Sequence, residues 1–186
     1  MVQYRNTAGS YGMVAQAFHW IVAILVILQF PLGMYAADLP VSLARLQWLS
    51  RHKSLGLLIL AIALLRLGWR AFNRPPALPA VMSRWQRAAA HVEHWLIYAL
   101  LVAVPLTGWL YASAAGLPAG WFGLFAVPDL VPRDRLAAAD YHDWHVATLT
   151  LLGVLVALHI GAAARHAFVR RDGIVQRMLP LKRQEP

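Results

Sequence analysis

The chain alternates long apolar runs with shorter segments that carry most of its charge. The last run, residues 144–164, contains no Asp, Glu, Lys or Arg, and about 20 uncharged apolar residues are enough for a helix to cross a bilayer core of about 30 Å. An earlier run begins at Phe18, and another continues from near His91 past Tyr111. Each of these three runs predicts a transmembrane helix.

The second apolar run is shorter than the others. Only residues 54–65 are free of charge, between Lys53 and Arg66, a length that alone would suit a buried helix of a soluble protein better than a membrane span. However, Lys and Arg can lay their apolar stems along a helix and keep their charges at the interface, and Trp48 and Trp69 then fall where an aromatic belt is expected. This run therefore also predicts a span.

Together the runs predict an all-α fold, an integral membrane four-helix bundle that occupies residues 1–186 as a single membrane domain. The predicted helices cover about residues 14–36, 52–72, 91–113 and 142–168. Residues 112–141 are rich in glycine, proline and aromatic residues, which favours a loop lying on or near the membrane surface.

Composition agrees with a membrane protein and narrows its chemistry. The chain is 60% hydrophobic and 13% charged, whereas an ordinary soluble domain is about 25% charged. The basic residues that give the net charge of +9 lie between the apolar runs and not in one soluble patch. Membrane topology therefore explains this charge better than nucleic-acid binding does. The chain has no cysteine, which excludes disulfides, iron–sulfur clusters and thioether-attached haem, so a metal centre has to use His, Met or carboxylate ligands.

The distribution of basic residues predicts the orientation. With four spans, one side receives twelve of them: Arg5, Arg66, Arg70, Arg74, Arg84, Arg87, Arg165, Arg170, Arg171, Arg177, Lys182 and Arg183. The other side receives five: Arg45, Arg51, Lys53, Arg133 and Arg135. Because cytoplasmic segments carry the excess of Lys and Arg, both termini are predicted to be cytoplasmic. The tail beyond His166 is expected to be a solvated end.

This topology places four histidines at defined depths in the membrane. His19 lies near the cytoplasmic start of the first helix, and His52 lies near the outer start of the second. On the fourth helix, His145 lies near the outer face and His159 follows four helical turns later, which corresponds to about 21 Å of rise and a net rotation of only about 40°. His52 is therefore expected at the depth of His145, and His19 at the depth of His159.

Two imidazoles at one depth on facing helices are the ligand set of a six-coordinate b-type haem, whose flat macrocycle fits between the helices of a bundle. The pairs His19/His159 and His52/His145 therefore predict two b-type haems stacked across the bilayer. Any one of these histidines could instead be an interfacial residue, hydrogen-bonded to backbone or to lipid headgroups.

The other histidines are weaker candidates for metal ligands. His91, His94, His142 and His166 are predicted to be interfacial, or to support the ligands rather than to bind iron. The two His-x-x-His pairs, 91/94 and 142/145, could bind zinc on one helix face. The chain has no His-Glu-x-x-His sequence, which counts against a zinc site of the hydrolase type.

Six short motifs follow one another in a fixed order along the chain. They are Phe18-His19-Trp20, Arg51-His52-Lys53-Ser54-Leu55-Gly56, His91-Val92-Glu93-His94-Trp95-Leu96-Ile97-Tyr98, Trp144-His145, Leu158-His159 and Met178-Leu179-Pro180. In this order they resemble the bacterial cytochrome b561 family over nearly the whole chain. The resemblance implies a four-helix membrane bundle with two b haems, held by the four histidines named above. It also implies a multi-pass protein of the bacterial inner membrane that takes electrons from superoxide at the outer face and passes them to ubiquinone.

If superoxide is the donor, a positive funnel at the outer face would raise its local concentration and its rate of encounter. The candidates for this funnel are Arg45, Arg51, Lys53, Arg133 and Arg135. For Arg51 and Lys53, neutralising haem propionates or lipid phosphates is an equal alternative. His166 lies two helical turns beyond His159, toward the cytoplasmic interface, and is expected to hydrogen-bond a quinone carbonyl.

Two other functions fit the same residues. The chain could be the membrane cytochrome b subunit of a larger complex, such as one serving a hydrogenase, and take its electrons from a redox partner protein. It could also be a haem-free structural or metal-transport protein, which predicts no visible absorption. Because no further soluble domain is expected, the sequence favours an oxidoreductase that acts alone.

Overall fold

The computed structural model describes residues 3–79 and 82–179. Four long helices dominate it, and a small two-stranded hairpin lies between the third and the fourth. In chain order the elements are α1 Met13–Asp38, α2 Leu43–Phe72, α3 Arg84–Ala114, β1 Ala119–Trp121, β2 Phe125–Val127 and α4 Arg135–Ala164. A π-helical segment, Arg165–Arg170, and a 3-10 turn, Val175–Met178, follow α4. Lys182 and Arg183 of the predicted basic tail lie outside the described residues.

All four helices are long and apolar enough to cross a membrane. The predicted membrane four-helix bundle is confirmed, and its orientation stays a prediction. Large apolar side chains cover the outward faces of the helices, such as Ile24, Leu65 and Leu158, which are 55%, 61% and 59% exposed. An apolar surface of this extent is unfavourable in water and is covered by lipid tails in a bilayer.

Three helices begin earlier than the apolar runs alone predicted. α2 starts at Leu43 and not near residue 52, because Ser42 caps its first turn. α4 starts at Arg135 and not near residue 142, because Asp134 caps it. A capping box likewise extends the start of α3. An apolar run marks only the part of a helix that lies within the bilayer, whereas the cap marks where helical hydrogen bonding begins.

All four helices contribute to one apolar core at mid-height of the bundle. Its buried residues are Val22, Val26, Ile59, Ala63, Leu100, Leu101 and Leu152. Each of these side chains is at most 7% exposed, so the four helices are in close contact at this level. The core separates the two ends of the bundle from each other.

The hairpin adds a small β element to the predicted all-α fold. Ser54 of α2 is 1% exposed and accepts a hydrogen bond from the Phe122 amide at 3.0 Å, and its oxygen lies 2.9 Å from the carbonyl oxygen of Gly120. Lys53 Nζ donates to the Pro118 carbonyl at 2.7 Å. These contacts hold the loop between α3 and α4 against the first half of α2.

The segment after α4 packs against α1, whereas a solvated tail was predicted. Trp20 Nε1 donates to the Met178 carbonyl at 2.8 Å, and Gln16 Nε2 donates to the Arg177 carbonyl at 3.3 Å. The segment thus closes the end of the bundle where α1 begins and α4 ends. That end is termed the termini end below, and the opposite end is termed the hairpin end.

Replacing Ser54 by alanine should loosen the hairpin without unfolding the bundle. The change removes the acceptor of the Phe122 amide, and a buried amide without a partner costs about 1–3 kcal/mol. We expect faster proteolytic cleavage within residues 117–131, measured by mass spectrometry of timed digests. Ser50→Ala, at an exposed position one turn away, is the matched control, and equal cleavage of the two variants would contradict the anchoring role.

Candidate functional site

The four histidines predicted as ligands form two pairs, one toward each end of the bundle. The ring centres of His52 and His145 are 6.4 Å apart, and those of His19 and His159 are 6.3 Å apart. The first is termed the hairpin-end pair and the second the termini-end pair. The structure therefore brings the predicted partners together at two depths.

These separations fit an iron ion held between two imidazoles. With about 2 Å for each metal–nitrogen bond and about 1 Å from each nitrogen to its ring centre, two axial imidazoles have ring centres about 6 Å apart. The rings of His94 and His159 are only 5.3 Å apart, which leaves less room between them. Within residues 3–79 and 82–179, no cluster of three or more His, Asp or Glu side chains is arranged to hold a metal ion, but haem iron needs only two protein ligands.

Both pairs belong to layers to which every helix contributes one residue. The hairpin-end layer consists of Gly33, His52, Gly108 and His145. The termini-end layer consists of His19, Arg66, His94 and His159. On every helix, the residue of the hairpin-end layer and the residue of the termini-end layer are separated by the same interval as His145 and His159. Halfway along this interval lies a core layer of Val26, Ile59, Leu101 and Leu152. In bundles with coiled-coil-like packing, positions one heptad apart share a face, so this interval of two heptads turns all three layers toward the bundle interior.

Glycines leave the space that the hairpin-end imidazoles occupy. A Cβ atom at Gly33 would lie 2.7 Å from Cε1 of His52, and one at Gly108 would lie 3.0 Å from Cε1 of His145. Any side chain at either position would press on the imidazole ring. The two rings therefore hold their positions only because these helices approach them without a Cβ atom.

The two hairpin-end imidazoles differ in their hydrogen bonding. His145 Nδ1 donates to the carbonyl oxygen of Val104 at 2.9 Å, so its Nε2 keeps the lone pair that a metal requires. His52 Nδ1 is buried and has no hydrogen-bond partner within the part of the chain that the structure describes. A buried polar atom without a partner is uncommon and indicates a role beyond packing.

A cavity of about 670 Å³ opens beside the hairpin-end pair, within the range of small-molecule sites, about 300–1,000 Å³. All four residues of the hairpin-end layer line it. Gln29 also lines it and has a buried side-chain oxygen for which the described residues provide no partner. Arg45 and Lys53 line it as well. The cavity thus combines two imidazoles, apolar walls and two cations, which fits a large planar apolar group with acidic substituents.

Charged residues adjoin the termini-end pair. A guanidinium nitrogen of Arg66 lies 3.1 Å from Nδ1 of His19, and a carboxylate oxygen of Glu93 lies 4.0 Å from Nδ1 of His159. Arg66 was predicted to reach the interface, but it turns inward. It finds polar contacts there with His19 and with the ring of Tyr98, whose centre is 5.2 Å from its guanidinium carbon.

Sequence reasoning missed the position of Arg66 and gave His94 only a supporting role. The signal that places both is the interval of two heptads that separates the histidines of α4. Arg66 follows His52 by this interval, and His94 precedes Gly108 by it. Applied to every helix and not to α4 alone, the same interval predicts both layers.

The five basic residues of the predicted funnel all lie at the hairpin end, in different surroundings. Arg45 and Lys53 line the cavity. The guanidinium of Arg51 lies over a tryptophan ring, 4.4 Å from the ring centre, and the side chain of Arg133 packs against the loop backbone. Arg135 lines a separate surface pocket. Two of the five residues are therefore placed to act on a molecule in the cavity.

His166 lies at the termini end, in the π-helical segment. Its Nδ1 donates to Asp172 Oδ2 at 2.6 Å, and the two side chains are only 15% and 12% exposed. Burial acts to raise the pKa of Asp172, but hydrogen bonds from His166 and from the Ile174 amide outweigh it and hold that pKa below its usual value. Asp172 is therefore ionised at neutral pH and orients the His166 ring.

Paired imidazoles inside a membrane four-helix bundle are the arrangement of a membrane cytochrome b. A model of the prokaryotic cytochrome b561 family matches residues 10–181, and the chain belongs to that family. The resemblance indicated by its motifs is confirmed. Membership makes the chain a multi-pass membrane protein of electron transfer and implies binding of b-type haem.

Named relatives match nearly the whole chain. Cytochrome b561 homolog 2 of Escherichia coli (strain K12) is 33% identical over 96% of this chain and 95% of its own length. A Yersinia pestis protein named probable superoxide oxidase CybB is 29% identical over 93% of this chain and 97% of its own. Cytochrome b561 homolog 1 of Escherichia coli (strain K12) is 24% identical over 89% and 94%. The similarity thus extends to whole proteins and not to a shared segment.

Proposed function

We propose that the chain carries electrons across the membrane through two b-type haems, one at each histidine pair. His52 and His145 would hold one haem, and His19 and His159 would hold the other, each through an imidazole nitrogen. The observation that carries this proposal is the equal separation of the two pairs, 6.4 and 6.3 Å between ring centres. A purely structural histidine contact gives no reason for the same spacing to recur at a second depth.

When bound, haem supplies reversible one-electron transfer, which no side chain here provides. The residues of the chain hold the imidazoles in position, and the core layer between the two pairs excludes water. At about 1.5 Å per residue, an interval of two heptads separates the two layers by about 21 Å. The proposed path therefore covers most of a bilayer core of about 30 Å.

Superoxide is the proposed donor and ubiquinone the proposed acceptor. Two superoxide anions give up two electrons and become two O₂ molecules, and these electrons with two protons reduce one quinone to quinol. One relative is named a probable superoxide oxidase, and Arg45 and Lys53 line the cavity beside the hairpin-end pair, where they attract an anion. With the termini end facing the cytoplasm of a bacterial inner membrane, His166 hydrogen-bonds the quinone on that side.

Removing one histidine of a pair should remove one haem and leave the other. We expect purified His52→Ala and His19→Ala proteins each to hold one haem per chain where the wild type holds two, because each variant loses one of the two histidines that would hold the haem at its own site. The measurement is the visible spectrum in detergent together with the haem-to-protein ratio. A wild-type protein without b-type bands, or loss of both haems in either variant with the fold retained, would contradict the proposal.

Glycine variants test the same geometry without changing a ligand. Gly33→Ala should lower the occupancy of one haem, because its Cβ would lie 2.7 Å from Cε1 of His52. Gly68→Ala is the matched control, since in the described structure a Cβ at that position meets no side chain and no backbone outside its own helical turn within 4 Å. If the two variants have equal haem content, the position of the His52 ring does not depend on Gly33.

Reduction of the haems by superoxide should slow as ionic strength rises. Attraction of an anion by Arg45 and Lys53 is screened beyond about 10 Å at 0.1 M salt and beyond about 3 Å at 1 M. Arg45→Gln should lower the rate at low salt and flatten its salt dependence in stopped-flow absorbance, whereas Arg84→Gln, an exposed change at the termini end, should not. A salt-independent wild-type rate excludes the attraction, and a haem-loaded protein that superoxide does not reduce favours a docked subunit.

Replacing His166 by alanine should slow quinone reduction and leave both haems in place. Loss of one hydrogen bond to a quinone carbonyl costs about 1–1.5 kcal/mol, or about tenfold in rate. The measurement is reoxidation of the reduced haems by a soluble quinone analogue. His91→Ala, at an exposed position near the same end, is the control. Full quinone reduction by a haem-loaded His166→Ala protein would show that the contact is absent.

A further inference from the structure

The two histidine pairs differ in the charges next to their imidazoles. At the hairpin end, one imidazole donates to a backbone carbonyl, and the other has no partner at Nδ1 among the described residues. At the termini end, a nitrogen of Arg66 lies 3.1 Å from Nδ1 of His19, and an oxygen of Glu93 lies 4.0 Å from Nδ1 of His159. The termini-end pair therefore has a cation beside one imidazole and an anion beside the other.

Arg66 keeps a full positive charge next to His19. A guanidinium is permanently protonated and only donates hydrogen bonds. In the part of the chain that the structure describes, no carboxylate lies within 4.0 Å of it. A His19 imidazole that binds a metal through Nε2 carries its proton on Nδ1 and cancels no charge, so an unneutralised cation remains beside the ring.

Charges at this position act on the redox equilibrium of a bound haem. Reduction adds one electron to the iron, so a nearby positive charge favours the reduced state and a nearby negative charge favours the oxidised state. The protein interior screens these charges less than water does. Groups that contact a metal-bound imidazole also change how strongly it donates to the metal.

We infer that Arg66 and Glu93 set the reduction potential of the termini-end haem in opposite directions, Arg66 by raising it and Glu93 by lowering it. The inference rests on the proposed function, since it requires a haem at the termini-end pair. The balance of the two charges would then set how readily a haem held by the termini-end pair is reduced. The hairpin-end haem, whose imidazoles have no charged partner in the described structure, does not respond to either residue.

Potentiometric titration of the purified protein, followed by the absorbance of the reduced haems, separates the two potentials. Arg66→Met keeps an unbranched, flexible stem and removes the charged guanidinium, so it should lower one potential. Glu93→Gln should raise the same potential, and the double variant should return toward the wild-type value. In a His52→Ala background, which retains only the termini-end haem, both shifts should persist.

Arg84→Met removes an exposed charge from the same end of the bundle and should change neither potential. Shifts of the same sign in Arg66→Met and Glu93→Gln, or no shift in either, would overturn the inference, while two haems in the wild type would leave the proposed function intact. If Arg66→Met does not retain its haem, Glu93→Gln decides alone, because an unchanged or lowered potential refutes the inference. A wild-type protein with fewer than two haems refutes both.

Discussion

Two imidazoles can share one iron through a ring nitrogen of each only when their ring centres lie about 6 Å apart, and this separation constrains every helix of the bundle. The constraint holds at two depths, with ring centres 6.4 and 6.3 Å apart. Because positions one heptad apart share a face in a packed bundle, an interval of two heptads on α4 is enough to present both of its histidines inward. The other three helices then have to match α4 in register at both levels.

The same interval serves different purposes on different helices. In each layer two positions hold the paired imidazoles, and the other two decide what surrounds them. At the hairpin end those two positions are Gly33 and Gly108, which leave room for the rings. At the termini end they are Arg66 and His94, which bring polar and charged groups to the rings. One backbone arrangement therefore produces one open site, whose imidazoles contact uncharged groups, and one crowded site, which has charged groups beside its imidazoles.

Much of this arrangement could be predicted from the sequence, because membrane depth and helical spacing are both local properties. The apolar runs gave the helices, and the position of each histidine along its run gave the pairing. Arg66 was the exception. It was expected to reach the interface, yet it contacts His19. A cation extends to the interface only when the interior offers it no polar partner, and those partners come from elements distant in sequence.

The position of the hairpin likewise could not be predicted from local sequence patterns. The contacts that hold the hairpin beside the cavity are also different from those that hold the imidazoles. The position of the hairpin depends on Ser54 and Lys53, which bind backbone groups on the far side of α3 in the sequence. Contacts over such a distance produce no periodic pattern in the sequence. Lys53 is anchored by neutral carbonyl oxygens, so its charge is not cancelled and still acts on the cavity that it lines. The imidazoles, by contrast, are held by helix register and by glycines. On the proposed function, changes in the hairpin would therefore alter which donor enters without altering the path that the electron takes.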